Sequence, residues 1–417
     1  MLRKARLHVK YVIASIQLPK ASPTLFRIIL FSGESLTKFN IYYTDHREQA
    51  EYIMDNTVLR NYQTNVKKLH HGKTSFAYNP DELKDILYLD LPDVIATSGT
   101  PEKPLFSIEF CGQKPVGFNI HQRFARAVAS ADFKIPFAYV FPERAWVIRK
   151  GSKRWDYVDP RIYMAMLNAT QFHSVPILAF NWVTHKKSTN DGKILVDKNP
   201  KYRGVLPPSN DAEMQSLFDF LDIVIDNFLR NRKTTDLVSY PNVMKINRSM
   251  WAKFSGRGGD PGPPGSCKII ASGKLRDYIE SNTGLNLTKR FKHDPPPEIL
   301  NTRKESFVFA TSVKKYRADP YTGLLPVLDY CYCRTGQSIR DRYRNLILHF
   351  TQISFNDVRA QCARYHQKDC ALREDYKGVD RFLSLHLREG CKFTKPKELR
   401  IYFYFADVVI FKDTVLY

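Results

Sequence analysis

The feature that most constrains this 417-residue chain is a regular succession of apolar segments and breaks between Ile86 and Pro142. The pattern predicts, in order, a strand at Ile86–Ala96, a turn, a strand at Leu105–Cys111, a helix at His121–Phe133 and a strand at Ile135–Phe141. A short turn joins antiparallel strands, whereas a helix between strands acts as a crossover connection. The order therefore predicts a mixed sheet covered by a crossover helix, which is an α/β arrangement.

Further periodic segments extend this core in both directions. Strands are predicted at Tyr11–Leu18, Leu25–Phe31, Phe39–Tyr43, Val175–Trp182, Ser306–Tyr316, Leu324–Cys333, Arg400–Phe405 and Val408–Phe411. Helices are predicted at His46–Lys68, Arg161–Gln171, Asp211–Arg232, Ser338–Phe350 and Phe355–Tyr365. The helix beginning near 211 has the strongest amphipathic pattern, and Asn210 or Asp211 is expected to cap it.

A Gly/Pro-rich stretch at 255–266 interrupts these segments and cannot be helix or strand throughout. It divides the chain into a predicted first domain at 1–235, a linker region at 236–305 and a second domain at 306–417. The second domain is expected to be α+β, so the chain as a whole is α+β with an α/β core.

The charge composition favours a polyanionic partner. Lys and Arg number 64 against 42 Asp and Glu, which gives a formal net charge of +22. These basic residues are spread along the whole chain, as suits a broad surface that faces phosphates. Seven cysteines are too few and odd in number for a disulfide framework, and no apolar run is long enough for a membrane helix. We therefore expect an intracellular nucleic-acid-binding protein with no membrane association.

Two acidic residues lie on neighbouring predicted strands and are candidates for a metal site. Asp93 follows Pro92 on one predicted strand, and Glu109 lies on the next predicted strand. Because the strands are neighbours, the two carboxylates can converge on one cation. Mg²⁺ takes oxygen ligands and keeps several waters, so one or two carboxylates suffice to hold it. A metal held there can activate water and offset charge on a phosphate.

This arrangement resembles the PD-(D/E)xK nuclease superfamily, to which many type II restriction endonucleases belong. The resemblance covers Pro92-Asp93, Glu109 and the strand, helix and strand around them, about a seventh of the chain. It implies a restriction-endonuclease-like mixed-sheet core with Asp93 and Glu109 as Mg²⁺ ligands. It also implies a double-stranded DNA substrate, a homodimer that cuts both strands, and a prokaryotic cytoplasmic restriction system with a cognate methyltransferase.

One position departs from the pattern of this superfamily. The residue two after the acid is usually Lys, but here it is Cys111. Lys114 is the candidate replacement, projecting back from the loop, and Gln113 is the candidate for positioning the attacking water. An acid on the first helix often completes such sites, and we expect Glu51, rather than Glu48, as a further metal ligand.

Several polar residues are candidates for contact with DNA. Gln122 and Arg123 open the predicted helix after the Glu109 strand, where phosphate contacts are expected. Arg317 and Arg334 lie near a predicted turn and are candidates for guanine edges. Arg340 and Arg344 are four residues apart in the predicted helix Ser338–Phe350 and would straddle phosphates from one face.

The preferred interpretation is a Mg²⁺-dependent, sequence-specific DNA endonuclease, in which the second domain is expected to contribute DNA recognition or dimer contacts. A non-catalytic nucleic-acid-binding protein on a nuclease-like fold is the main alternative, and Cys111 favours it. A repair or RNA nuclease is the third interpretation, since phosphate-facing charge does not separate DNA from RNA.

Overall fold

The structure is a computed structural model. It describes residues 37–70, 79–87, 89–111, 117–149, 152–182, 206–256, 258–259, 262–289, 299–312, 314, 321–357 and 404–417. The predicted strands Tyr11–Leu18 and Leu25–Phe31 lie outside these residues. Thr37–Tyr417 form one compact unit. The boundaries predicted near 235 and 305 remain predictions.

The secondary structure alternates between helices and strands. The strands are β1 (Lys38–Tyr43), β2 (Gln63–Lys68), β3 (Val94–Ser98), β4 (Lys103–Phe110), β5 (Phe137–Pro142), β6 (Arg144–Arg149), β7 (Ser152–Tyr157), β8 (Ile177–Trp182), β9 (Cys267–Ala271), β10 (Glu305–Thr311), β11 (Arg344–Phe350), β12 (Val408–Ile410) and β13 (Val415–Leu416). The helices are α1 (Arg47–Asn56), α2 (Asp81–Lys84), α3 (Phe124–Asp132), α4 (Arg161–His173), α5 (Ala212–Leu229), α6 (Pro241–Ser255), α7 (Leu275–Thr283), α8 (Ile299–Thr302) and α9 (Tyr321–Tyr332). Short 3-10 turns occur at Val58–Asn61, Gly117–Arg123, Thr234–Ser239 and Ser272–Lys274.

Six strands form the first sheet in the order β2-β1-β3-β4-β5-β8. Strand β4 pairs antiparallel with β3 and parallel with β5, and β5 pairs parallel with β8. Every residue of β5 and β8 is buried, as expected for strands covered by helices on both faces. The predicted mixed sheet with a crossover helix is therefore confirmed.

Helix ends in this part follow local chemistry. Asp211 caps α5, because its carboxylate accepts a hydrogen bond from the backbone N–H of Glu213 at 2.9 Å. By contrast, the helix predicted at His46–Lys68 ends at Asn56. The segment after it returns as the exposed edge strand β2, which pairs with β1.

Five strands form the second sheet in the order β13-β12-β11-β10-β9. The central strands β10, β11 and β12 are parallel, and antiparallel strands close both edges, so this sheet is also mixed. Two predictions in this region are wrong. The segment Leu324–Cys333, predicted as a strand, lies almost entirely in helix α9, and Ser338–Phe350, predicted as a helix, ends in β11. The residues of α9 from Gly323 to Tyr330 are all buried, so periodicity cannot assign them. In Ser338–Phe350 the polar first half is an irregular segment, and only the buried second half, from Arg344, forms the strand.

The closing pair of strands also differs from its prediction. Tyr404 and Phe405 are helical rather than extended, and the pair consists of β12 and β13. None of the described helices is both long and apolar enough to cross a membrane.

Helix α9 shares one hydrophobic core with the first sheet. The ring of its Tyr330 makes an edge contact with Phe124 of α3 at 5.6 Å between centroids. Asn168 of α4 donates a hydrogen bond to the Tyr330 carbonyl at 2.8 Å. Near the start of α9, Gly323 lies so close to Gln122 that an added Cβ would overlap the Gln122 backbone. The C-terminal region is therefore packed directly on the elements that follow β4.

Candidate functional site

The β3–β4 hairpin brings Asp93 and Glu109 together. Asp93 directly precedes β3, and the pairing of Val94 with Ile108 places it across from Glu109 on β4. The backbone N–H of Asp93 donates to Glu109 Oε2 at 3.3 Å, and the N–H of Phe110 donates to Asp93 Oδ2 at 2.8 Å. Thr44, just after β1, fixes the approach to β3, since its Oγ1 donates to the Pro92 carbonyl at 2.6 Å.

Two arginines from the crossover region reach the same point. Arg126 of α3 contacts Glu109 Oε2 through Nη1, and the same Nη1 lies 3.9 Å from Asp93 Oδ1. Its Nε donates to Asp90 Oδ2 at 2.7 Å. Arg123, just before α3, places Nε 2.6 Å from Glu109 Oε1. We call Asp90, Asp93, Glu109, Arg123 and Arg126 the acid–arginine cluster.

Sequence reasoning missed Asp90 and Arg126. One available signal was the spacing of Arg123 and Arg126, which are three residues apart at the start of an otherwise apolar helix. Arginines three apart share a helix face. Buried arginines are rare unless they are paired, so this spacing predicts nearby acids.

Burial controls the protonation of the cluster. Burial raises the pKa of Glu109 to about 8; Arg126 and Arg123 oppose that rise, and Asp93 adds to it. Burial also raises the pKa of Asp93, against the opposing effect of Arg126. Burial alone would lower the pKa of Arg126, but Asp90 and Glu109 outweigh it and hold that pKa well above its ordinary value. The arginines are therefore charged, and Glu109 changes charge close to neutral pH.

Arg123 also places a positive charge beside Cys111. Its Nη1 donates to Cys111 Sγ at 3.4 Å, and about a fifth of its side chain is exposed. The predicted contact of Arg123 with phosphate stays a prediction. In the structure its guanidinium belongs to the acid–arginine cluster, where it contacts Glu109. The predicted residues Gln113 and Lys114 lie outside the described residues.

Asp93 and Glu109 offer carboxylate oxygens, the type of donor that a small hard cation prefers. Glu109 Oε1 is buried and accepts no hydrogen bond among the described residues, although it lies 2.6 Å from Arg123 Nε as an ion pair. Oxygens of both carboxylates lie near Arg126 Nη1, in contact for Glu109 Oε2 and at 3.9 Å for Asp93 Oδ1. Two carboxylates with waters are a usual Mg²⁺ environment. For a cation to bind these carboxylates, Arg126 would have to withdraw from its contact with Glu109 Oε2.

The structure does not support a third protein ligand. Glu51 accepts a hydrogen bond from Arg47 Nε at 2.8 Å, within α1. Among the described residues, no three His, Cys, Asp or Glu side chains form a group able to hold a metal. The prediction of Glu51 as a metal ligand is therefore not supported.

The remaining predicted DNA contacts are divided. The prediction that Arg334 contacts guanine edges is wrong, because its side chain is fully buried and pairs with Asp329 at 2.8 Å. Arg344 lies on β11 and binds Glu305 at 2.6 Å, so the helical spacing proposed for it and Arg340 is also wrong. Arg340 remains exposed, and Gln122 is half-buried in the turn before α3. Arg317 lies outside the described residues.

Comparisons with known proteins give no relative for this chain. No protein-family model, no curated protein and no solved structure matches it.

Proposed function

We propose that the protein is a metal-dependent nuclease with a restriction-endonuclease-like core, which hydrolyses phosphodiester bonds of double-stranded DNA. The observation that carries the proposal is the position of Asp93 and Glu109. Asp93 directly precedes β3 and Glu109 lies on the neighbouring strand β4, and both carboxylates lie near one cationic atom, Arg126 Nη1, which contacts Glu109 Oε2 and is 3.9 Å from Asp93 Oδ1. The formal charge of +22 supports a polyanionic substrate.

In this proposal Asp93 and Glu109 hold Mg²⁺. The bound ion would lower the pKa of a water molecule and offset the charge that develops on the phosphate. Arg126 would release Glu109 while its Nε stays on Asp90, so the displaced guanidinium keeps a partner. Arg123, which is partly exposed and lies beside Cys111, would donate to a phosphate oxygen in the role of the usual Lys.

Cutting both strands of a duplex calls for two copies of one site, so a homodimer is part of the proposal. Gln122 would contact the substrate outside the cluster. A type II restriction system in a prokaryotic cytoplasm, with a cognate methyltransferase, would be the context.

The direct test is incubation of the purified protein with a long natural DNA, in Mg²⁺ and in EDTA. Discrete fragments formed only with Mg²⁺ support the proposal. Asp93→Asn and Glu109→Gln are expected to abolish cleavage while keeping a gel shift of the DNA. Glu102→Gln is the matched control, because Glu102 lies between the same two strands and is bound by Tyr42 and Thr97. Cleavage retained by Asp93→Asn would contradict the site assignment.

A specific observation also favours a second function. Glu109 already has two arginine partners, and Cys111 replaces the usual Lys. These features suit a non-catalytic nucleic-acid-binding protein that has kept the fold. Salt-sensitive DNA binding with no cleavage in Mg²⁺ or Mn²⁺ would favour this function. Cleavage of RNA or branched DNA without defined fragments would instead indicate a repair or RNA nuclease.

A further inference from the structure

A second cationic site lies at the second sheet, outside the acid–arginine cluster. It is an open cavity of about 540 Å³. Four of its seven lining residues are cationic; the lining consists of Thr302, Arg303, Lys304, Glu305, Arg340, Arg342 and Tyr343. We call it the basic cleft. Its volume lies in the range of cavities that hold small organic ligands.

The inner wall of the basic cleft is rigid. Arg342 is held by Asp329 at 2.6 Å and by Asp407 at 2.9 Å, and its Nη2 donates to the Phe405 carbonyl at 2.7 Å. Arg303 shares the same Asp407 oxygen at 2.9 Å and donates to Asn345 Oδ1 at 3.2 Å. Guanidinium groups fixed in this way lose little conformational entropy when an anion arrives.

The outer part of the basic cleft carries exposed charge. Lys304 and Arg340 are both exposed, and no described acid pairs with either of them. Glu305, the acid that lines the cleft, is already bound by Arg344 at 2.6 Å. The cleft therefore has excess positive charge that a phosphate can neutralise.

An exposed aromatic ring borders these cations. Tyr343 has 46% of its surface exposed, although large aromatic side chains are usually buried. The guanidinium of Arg344 lies 4.5 Å from the centre of the ring, and its Nη1 donates to the Tyr343 hydroxyl at 2.6 Å. The ring is therefore held in place and offers a flat surface. An aromatic ring beside cations is typical of sites that bind unpaired bases.

We propose that the basic cleft binds one nucleotide unit of a single-stranded nucleic acid. The phosphate lies against Lys304 and Arg340, and the unpaired base stacks on Tyr343. This site goes beyond the proposed nuclease function, because it uses neither Mg²⁺ nor the acid–arginine cluster. The same chemistry would also attract a free nucleotide or inorganic phosphate, and the test below separates these sources.

The test is fluorescence anisotropy of a labelled single-stranded oligonucleotide in EDTA, over a series of salt concentrations. Lys304→Ala/Arg340→Ala should weaken binding at least about tenfold and reduce the slope of log K against log salt by about 0.7, because one phosphate contact is lost. Tyr343→Ala should weaken binding by about tenfold, whereas Tyr343→Phe should not. The matched control is Lys233→Ala/Lys412→Ala, which removes two exposed charges elsewhere.

Each outcome is decisive once thermal melting has shown that the variants are folded. Equal weakening by the control pair would overturn the proposal, because general surface charge would then explain binding. If inorganic phosphate displaced the labelled oligonucleotide as well as unlabelled oligonucleotide does, the proposed stacking of a base on Tyr343 would be overturned. A mononucleotide that binds as tightly as the oligonucleotide would overturn the assignment to a strand. If binding of duplex DNA were weakened equally by Tyr343→Ala, the proposal that an unpaired base stacks on Tyr343 would be overturned. The Asp93→Asn variant should bind like the original protein, so failure of the nuclease proposal leaves this one standing.

Discussion

Replacement of Arg126 by Met is the sharpest test of the acid–arginine cluster. Methionine retains apolar volume but removes the guanidinium of a side chain that is only 14% exposed. Asp90, Asp93 and Glu109 would then share a buried site with one fewer positive charge. Breaking a buried ion pair by removing one partner costs about 3–5 kcal/mol in the free energy of unfolding.

This free energy converts into a measurable shift of the melting temperature. The entropy of unfolding is about 2.1 cal/mol/K per residue, or roughly 0.8 kcal/mol/K for a unit of about 380 residues. A loss of about 3–5 kcal/mol therefore lowers Tm by about 4–6 °C. The loss should be smaller at pH 6 than at pH 9, because Glu109 has a pKa of about 8 and is neutral at the lower pH.

Differential scanning calorimetry at both pH values would measure these shifts. The matched control is Arg230→Met, which removes an exposed arginine paired with Asp226 at 2.8 Å on α5. An exposed helical pair contributes about 0.3–0.5 kcal/mol, so Tm should fall by less than about 1 °C. An Arg126→Met variant that melts within 1 °C of the original protein would refute the reasoning. So would a loss of equal size at pH 6 and pH 9.

Three further predictions concern stability. Gly323→Ala should lower the free energy of unfolding, measured in urea, by about 1–3 kcal/mol, because the Cβ of the alanine would overlap the Gln122 backbone. The control is Gly273→Ala, at a position with open space around it, which should change the free energy of unfolding by less than about 0.5 kcal/mol. Asp329→Asn should cost about 3–5 kcal/mol in the same assay, because two buried arginines lose their shared carboxylate; a loss below 1 kcal/mol would contradict this. The pKa of Glu109 is raised from 4.5 to about 8 in the folded state, so its contribution to the free energy of unfolding should fall as pH rises between these values. Glu109→Gln should therefore flatten the fall of Tm over this pH range. A pH profile of Tm unchanged by Glu109→Gln would contradict the raised pKa.

The sequence predicted the parts of the site that depend on local pattern. Asp93 and Glu109 could be placed because each lies in or next to an apolar strand, and one turn makes those strands neighbours. The partners of these acids could not be placed. The contact between Arg126 and Glu109 depends on which face of α3 meets the hairpin, and that is set by packing across the sheet. Helix α9 was mistaken for a strand for a related reason, since a segment buried on all sides carries no periodic signal.

The close contact of Gly323 with the turn before α3 has a mechanical consequence. That turn ends at Arg123, so the backbone that aims this guanidinium at Glu109 rests directly on helix α9. The C-terminal region is thus part of the frame of the cluster rather than an attachment to it. A chimaera that replaced the chain after residue 305 with an unrelated sequence would lose this support. Recombination that preserves the acid–arginine cluster must therefore carry α9 along with β3, β4 and α3.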